Sequence, residues 1–133
     1  VMAETAGTTN LGRLHPGENV NLERSLKAGD RVSGHFVSGH VDCLGVIRRK
    51  GMVRGTLAFQ IAFPQEFLRY VVPKGSISVD GISLTIAEKL PDALRVSIIP
   101  HTLRNTTLAH KGPSDQVNLE FDLLAKHALA PAR

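Results

Sequence analysis

Between Lys74 and Ala87, apolar and polar residues alternate regularly enough to set the frame for the whole chain. Ile77, Val79, Ile82, Leu84 and Ile86 are apolar, with small polar residues between them, which is the period of half-buried strands. Asp80-Gly81 interrupts the run, and an Asp-Gly pair tolerates the positive φ of a two-residue hairpin turn. The alternation turns Ser83 and Thr85 to the face opposite Ile82, Leu84 and Ile86. That face either lines a polar pocket or is the solvated outside of an ordinary hairpin, and the stretch alone leaves both open.

The same reading predicts further strands at 19–22, 30–40, 41–48, 55–63, 93–99 and 116–121. Gly34 and Gly39 fall inside the 30–40 run, where glycine marks a bulge or a close approach by a ligand. Pro16-Gly17 reads as a turn. Pro64 starts a predicted helix, with proline in the first turn where the missing N–H costs nothing. A second short helix is expected over 101–110, stopped by Gly112-Pro113, and a third over 123–130. About six short strands with glycine and proline punctuation and two short helices between them favour a small β-barrel or sandwich. Closure into a barrel also removes exposed sheet edges.

The chain repeats itself. Placing Glu4 on His101, an offset of 97, aligns Thr5 with Thr102, Thr9 with Thr106 and Leu11 with Leu108 without a gap. Val20-Asn21-Leu22-Glu23 then meets Val117-Asn118-Leu119-Glu120, and Leu26 meets Leu123. Residues 1–26 are therefore expected to be the tail of a first repeat and 27–125 a complete second one. A start at Val1, without methionine and inside a patterned segment, leads to the same expectation of a fragment.

At 133 residues the chain suffices for one core and is too short for two full-sized ones. With 42% hydrophobic and 21% charged residues it has the profile of a globular domain, and no apolar run approaches a bilayer span. A net charge of +4 brings nucleic acid into consideration. Yet Arg48-Arg49-Lys50 beside Gly51 reads as a solvated turn, tryptophan is absent, and no nucleic-acid motif stands out. Cys43, the sole cysteine, cannot form an internal disulfide, which fits a reducing cytosol. As a single strand cysteine it reads as packing rather than as a nucleophile. His35 and His40, five apart, fall on opposite strand faces, which disfavours a shared metal site.

Four linked motifs, GHFVSGHVD (34–42), KGSISVDGISLTI (74–86), IPHTLRNTTL (99–108) and VNLEFDLLAK (117–126), together resemble the riboflavin synthase alpha chains. The resemblance covers essentially the whole chain, in order. It implies a mainly β fold, a closed six-stranded Greek-key barrel with two short helices and the start of a C-terminal helix. It also implies that 1–26 is the last strand and tail of a truncated first lumazine-binding repeat, 27–125 a complete second barrel, and 126–133 the start of an oligomerisation helix. The implied reaction is the cytoplasmic dismutation of two 6,7-dimethyl-8-ribityllumazine molecules into riboflavin and a pyrimidinedione, with neither metal nor organic cofactor. Implied partners are that small molecule, two further copies in a homotrimer, and lumazine synthase; neither nucleic acid nor membrane is implied.

The resemblance assigns roles to individual positions. Gly39, His40 and Val41 match a pocket segment, with His40 placed for proton transfer near the ring. Lys74 matches a lysine that reaches the substrate's polar atoms, and Ser83, Leu84 and Thr85 a segment gripping the ring through backbone and hydroxyl groups. Ser83, with Asp80 nearby, is the expected nucleophile or water-orienting group. Ile99, Pro100, His101, Thr102, Leu103 and Arg104 match a segment that closes over the ligand. Asn21, Glu23, Asn118 and Glu120 most simply fix strand ends. Since the implied site lies between two barrels, this chain alone is expected to bind lumazine or riboflavin and to turn over poorly or not at all. A non-catalytic lumazine- or flavin-binding protein of the same fold is the competing expectation.

Overall fold

The computed structural model describes residues 1–129. Its sheet comprises β1 (Cys43–Val53), β2 (Thr56–Ala62), β3 (Ser76–Val79), β4 (Ile82–Lys89), β5 (Ala93–Ile98) and β6 (Gln116–Phe121), every neighbouring pair antiparallel. The ring order β1-β2-β5-β4-β3-β6 closes a barrel. Strands β3, β4 and β5 are consecutive neighbours and β6 returns beside β3, the Greek-key order. The predicted hairpin forms with Val79 paired to Ile82, and Asp80 (φ 50°) and Gly81 (φ 83°) carry its turn.

Inward positions of all six strands fill the barrel. Ile47, Phe59, Ile61, Ile77, Val79, Ile86, Leu94, Val96 and Leu119 are completely buried. A barrel this narrow leaves no room at one inward position of β1. A Cβ at Gly45 would lie 2.7 Å from Ile61 Cγ2 and 2.8 Å from Leu119 Cδ1. One end is plugged by aromatics: Phe67 stacks on Phe121 and Phe63 meets it edge-on, both at 5.5 Å between ring centroids. Phe67 belongs to a 3-10 helix, Gln65–Tyr70, so the element expected from Pro64 is tighter than an α-helix and Pro64 precedes it. No helix is long and apolar enough to cross a membrane among the described residues.

Three sequence expectations are corrected. The basic cluster is not a turn: β1 runs through Arg48, Arg49 and Lys50, and the turn falls at Arg54 (φ 50°) and Gly55 (φ 79°), between the paired Val53 and Thr56. Nor do residues 30–40 join the sheet. Positive φ at Gly34 (81°) and Gly39 (85°) breaks the extended run. The segment instead straps across the barrel, tied to β4 at Ser83 through His35 and to β6 at Glu120 through Ser38 and Gly39. Ser83 pairs with Ser78, and Ser78 with Glu120, so the two anchors are two strand spacings apart, about 10 Å. Three extended residues from His35 to Ser38 span that same distance, roughly 10 Å. Finally, residues 19–22 form no strand. The identical VNLE in β6 has β1 and β3 to pair with, whereas the upstream copy has no ladder partner among the described residues.

The repeat register carries over to the helices. Helix α1 (Ala3–Thr8) shifted by 97 gives α2 (Pro100–Asn105), and the 3-10 turn Asn10–Arg13 shifted by 97 gives Thr107–His110. The single helix expected over 101–110 is thus two pieces, broken at an extended Thr106 whose hydroxyl accepts the Leu108 N–H. Helix α3 (Leu123–Ala128) begins at an Asp122 cap, and the end of the helix expected to 130 lies outside the described residues.

Candidate functional site

The turn of the β3–β4 hairpin is locked onto β6. Asp80 N–H donates to Asn118 O (2.9 Å), and Asp80 Oδ1 accepts the Asn118 N–H (2.7 Å). Lys111 Nζ stands 3.7 Å from the other carboxylate oxygen. Burial raises the Asp80 carboxyl above its usual range, opposed by the Asn118 amide and by the Lys111 charge. The carboxylate is thus committed to the hairpin's own architecture.

From that fixed turn, the strand period points Ser83 and Thr85 outward while Leu84 and Ile86 enter the core. The main chain follows the same alternation. In a two-residue hairpin the first flanking pair, Val79–Ile82, exchanges both hydrogen bonds, so the N–H and C=O groups of Ser83 and Thr85 turn away from β3 toward β5. There Ser83 meets no ladder: among the described residues β4 and β5 are paired from Ile86–Val96 onward only, a pair that engages the Thr85 C=O and leaves the Ser83 groups and the Thr85 N–H outside it. The result is an open seam beside two hydroxyls, with backbone donors and acceptors facing out of it. A planar ring with an imide-like edge satisfies such groups as a short extra strand would.

A cleft of about 840 Å³ reaches this hairpin. Its walls include Asn21, Glu23, Ser33, Asp80, Ser83, His101 and Arg104. The structure thereby brings together four of the residues singled out in the sequence, Asp80, Ser83, His101 and Arg104. Leu103 packs against the core, half-buried Thr102 offers its carbonyl to the Thr106 hydroxyl, and Ile99 precedes Pro100 as an exposed N-cap of α2. Lys74, left-handed at φ 66°, is exposed, and its N–H donates to Ile86 O (2.8 Å) in the middle of β4.

The segment Gly39, His40 and Val41 lies at the other anchor of the strap. Glu120, buried on β6, accepts the Ser38 and Gly39 N–H groups at 2.8 Å each, one on each oxygen. His40 itself is exposed, its N–H donating to Ser38 Oγ (3.3 Å). The imidazole that meets Ser83 is that of His35. Ser83 Oγ accepts the His35 N–H (3.2 Å) and lies 2.7 Å from His35 Nδ1. Gly34 permits the approach, since a Cβ there would fall 2.7 Å from Ser83 Cβ. The sequence reading passed over His35 because a strand would have put it on the face opposite His40. Its signal was Gly34, a close-approach glycine immediately before it.

A second unforeseen contributor is Asn21. Its amide accepts the Thr107 N–H (2.8 Å) and donates to Thr107 Oγ1 and Asp80 O, both 3.0 Å. Asn118, its counterpart 97 residues on, treats Asn10 in the same way, accepting its N–H and donating to its side-chain oxygen at 2.8 Å each. The two asparagines thus cap each other's 3-10 turns in a reciprocal exchange, and Asn21 forms a wall of the cleft while doing so.

Residues 38–122 match a family model described as the lumazine binding domain. Curated relatives named riboflavin synthase include those of Mycobacterium tuberculosis (46% identical over 130 residues, 96% of this chain and 65% of that protein) and Actinobacillus pleuropneumoniae (42% over 127 residues, 96% and 59%). The Bacillus subtilis relative is 40% identical over 127 residues, again 96% and 59%. The chain therefore spans about three-fifths of the length of these relatives. Solved structures of similar fold include LumP complexed with riboflavin (TM-score 0.80, 20% identity, 89% of this chain and 64% of that one). LumP complexed with 6,7-dimethyl-8-(1'-D-ribityl) lumazine aligns with TM-score 0.77 at 20% identity, over 90% and 64% of the two chains.

Proposed function

The chain belongs to the lumazine binding domain family, and from that premise we propose that it supplies one substrate-binding barrel of a riboflavin synthase. The observation that carries this reading is sequence identity of 40–46% to proteins of that name over 96% of the chain. The substrate is 6,7-dimethyl-8-ribityllumazine. Its pyrimidinedione edge alternates carbonyl acceptors with an N–H donor, and it lies in the open seam against Ser83 and Thr85, with residues 99–104 closing over it. The outward hydroxyls, the unladdered backbone beside them and the cleft at Ser83 support that placement.

Chemistry follows from holding two such rings together. Two bound lumazines react as one unit, and fixing their encounter lowers the barrier by up to about 7–11 kcal/mol. One ring gives up a four-carbon unit to become the pyrimidinedione, and the other becomes riboflavin. Ser83 presents its hydroxyl to the ring, His40 and Lys74 approach from the strap and from the chain beside the middle of β4 once ligand is bound, and Asp80 keeps the hairpin in place. Acid–base help is required because a proton must leave the 7-methyl group of one ring. On the same reading residues 1–26 are the tail of a first lumazine-binding repeat, 27–125 the second barrel, and the helix that begins at Leu123 assembles a cytoplasmic homotrimer. The matching helix boundaries and the asparagine exchange support the repeat.

Incubation of the chain with 6,7-dimethyl-8-ribityllumazine tests the proposal. Quenching of the ligand's fluorescence with saturable binding is the expected result, with riboflavin formed slowly or not at all beside a full-length relative. Absence of saturable binding for both lumazine and riboflavin would refute the reading, and turnover equal to the full-length relative would refute its division into two barrels.

A further inference from the structure

We propose that His35 is a positioning residue for the candidate site: its Nδ1 accepts a hydrogen bond from the Ser83 hydroxyl and thereby turns a Ser83 lone pair toward the ligand. This assignment rests on the reading of the chain as a lumazine-binding barrel. Its basis is the contact itself. Ser83 Oγ accepts the His35 N–H at 3.2 Å, and Nδ1 stands 2.7 Å from the same oxygen, where the tautomer protonated on Nε2 receives the hydroxyl's hydrogen bond. With Nδ1 accepting, the imidazole proton resides on Nε2. That atom is buried, and it is the buried side-chain nitrogen or oxygen without a hydrogen-bond partner among the described residues. A buried ring nitrogen left without a partner calls for an explanation, and a role at the adjoining site supplies one.

Three further features make the contact a built one. Gly34, left-handed at φ 81°, brings the strap closer to Ser83 than any residue with a Cβ would allow. The other anchor, Glu120, fixes the distance at which His35 meets β4. Ser83 also faces the cleft, whereas His35 lies behind it, so the hydroxyl is the link between imidazole and ligand. A serine whose proton is held by histidine offers an acceptor to the ring's N–H, and a serine without that partner rotates freely between donor and acceptor roles.

The experiment uses the whole chain with riboflavin as probe, followed by quenching of its fluorescence, for His35→Ala, His35→Asn, His35→Gln, Ser83→Ala and the double variant His35→Ala with Ser83→Ala. Asparagine places an acceptor near the position of Nδ1, and glutamine places its amide near that of Nε2. Loss of one hydrogen bond's influence predicts weaker riboflavin binding by roughly three- to tenfold in His35→Ala. Asparagine should restore most of that loss and glutamine little. In the Ser83→Ala background the His35→Ala effect should vanish, because the route through the hydroxyl is gone. Nitrogen-15 spectra of the wild-type imidazole should show Nδ1 without a proton.

Equal losses in both backgrounds, better rescue by glutamine than by asparagine, or a protonated Nδ1 would overturn the assignment. Should His35→Ala not fold, the asparagine and glutamine variants carry the same decision between them. Wild-type chain that binds neither riboflavin nor the lumazine would overturn the binding reading as well, whereas wild-type binding with indifference to every His35 variant overturns this inference alone.

Discussion

Asp80 separates an architectural carboxylate from a chemical one, and two substitutions distinguish them. In Asp80→Asn the side-chain oxygen still accepts the Asn118 N–H, now 2.7 Å from Oδ1, and asparagine is at home at the positive φ of 50°. What it loses is attraction to Lys111 at 3.7 Å, and what it sheds is the cost of burying a charge. The two offset each other, so a stability change within about 1 kcal/mol is expected at neutral pH. Asp80→Ala forfeits a hydrogen bond to an ionised acceptor, about 1.5–3 kcal/mol, and exchanges a residue type that tolerates the left-handed region for one that does not, a further 1 kcal/mol or so. A total of about 2.5–4 kcal/mol corresponds to a melting temperature lower by roughly 10–15 °C for a chain of this size. The pH dependence has a definite sign. A carboxyl whose folded pKa is raised binds its proton more tightly folded than unfolded, so its contribution to stability is greatest at low pH. That contribution declines as pH climbs from the ordinary 3.8 through the raised folded value, and Asp80→Asn should remove this decline. Urea unfolding of wild type and both variants at a series of pH values provides the assay. Equal destabilisation by asparagine and alanine, or an unchanged pH slope in Asp80→Asn, would refute the architectural account. Riboflavin affinity completes the comparison, since a chemical role predicts loss in Asp80→Asn and an architectural one predicts retention.

Other sites give sharper single outcomes. Gly45→Ala drives a Cβ to within 2.7 Å of Ile61 and 2.8 Å of Leu119, both completely buried, and should cost about 1–3 kcal/mol in chemical denaturation; a cost below 0.5 kcal/mol or so would mean the barrel is wider than described. Burial, reinforced by Asp42 and Glu66, pushes the Cys43 thiol up to about 12, so at pH 8 it should react with iodoacetamide only as fast as the barrel opens. Labelling that is rapid and insensitive to stabilising conditions would contradict that. Glu120→Gln halves the acceptors available to Ser38 and Gly39, and amide exchange at those two residues should accelerate by roughly tenfold or more while the β-barrel amides stay protected. Uniform acceleration throughout would show that the strap is not separately anchored.

How much of this was legible in the residues turns on where the deciding partner sits in the chain. The 74–87 hairpin was readable because everything that makes it is local: alternation sets the faces and Asp80-Gly81 the turn. The segments 19–22 and 30–40 were misread for one shared reason. Alternation states that a segment is able to pair, not that a neighbour exists, and VNLE shows the difference within one molecule. At 117–120 it is flanked by β1 and β3 and forms a strand; at 20–23 it has no ladder and is held by the Asn21 side chain instead. The candidate site depends on the same non-local information. Resemblance pointed to Ser83, Leu84 and Thr85, and the structure places Ser83 on one cleft with Asp80, His101 and Arg104, because these positions follow from the hairpin and α2. It pointed to His40 as the histidine near the ring, whereas His35 is the one on Ser83 in this structure, because the strap runs across the strands rather than along them. Gly34 and Gly39 were read as marks of a bulge or a close approach within a strand; each instead takes a positive φ beside an anchor, where the chain must leave the extended path to reach its partner. A glycine-punctuated alternating run next to a polar-faced hairpin is therefore better read as a crossing strap, and the residue following its first glycine as the one that touches the site.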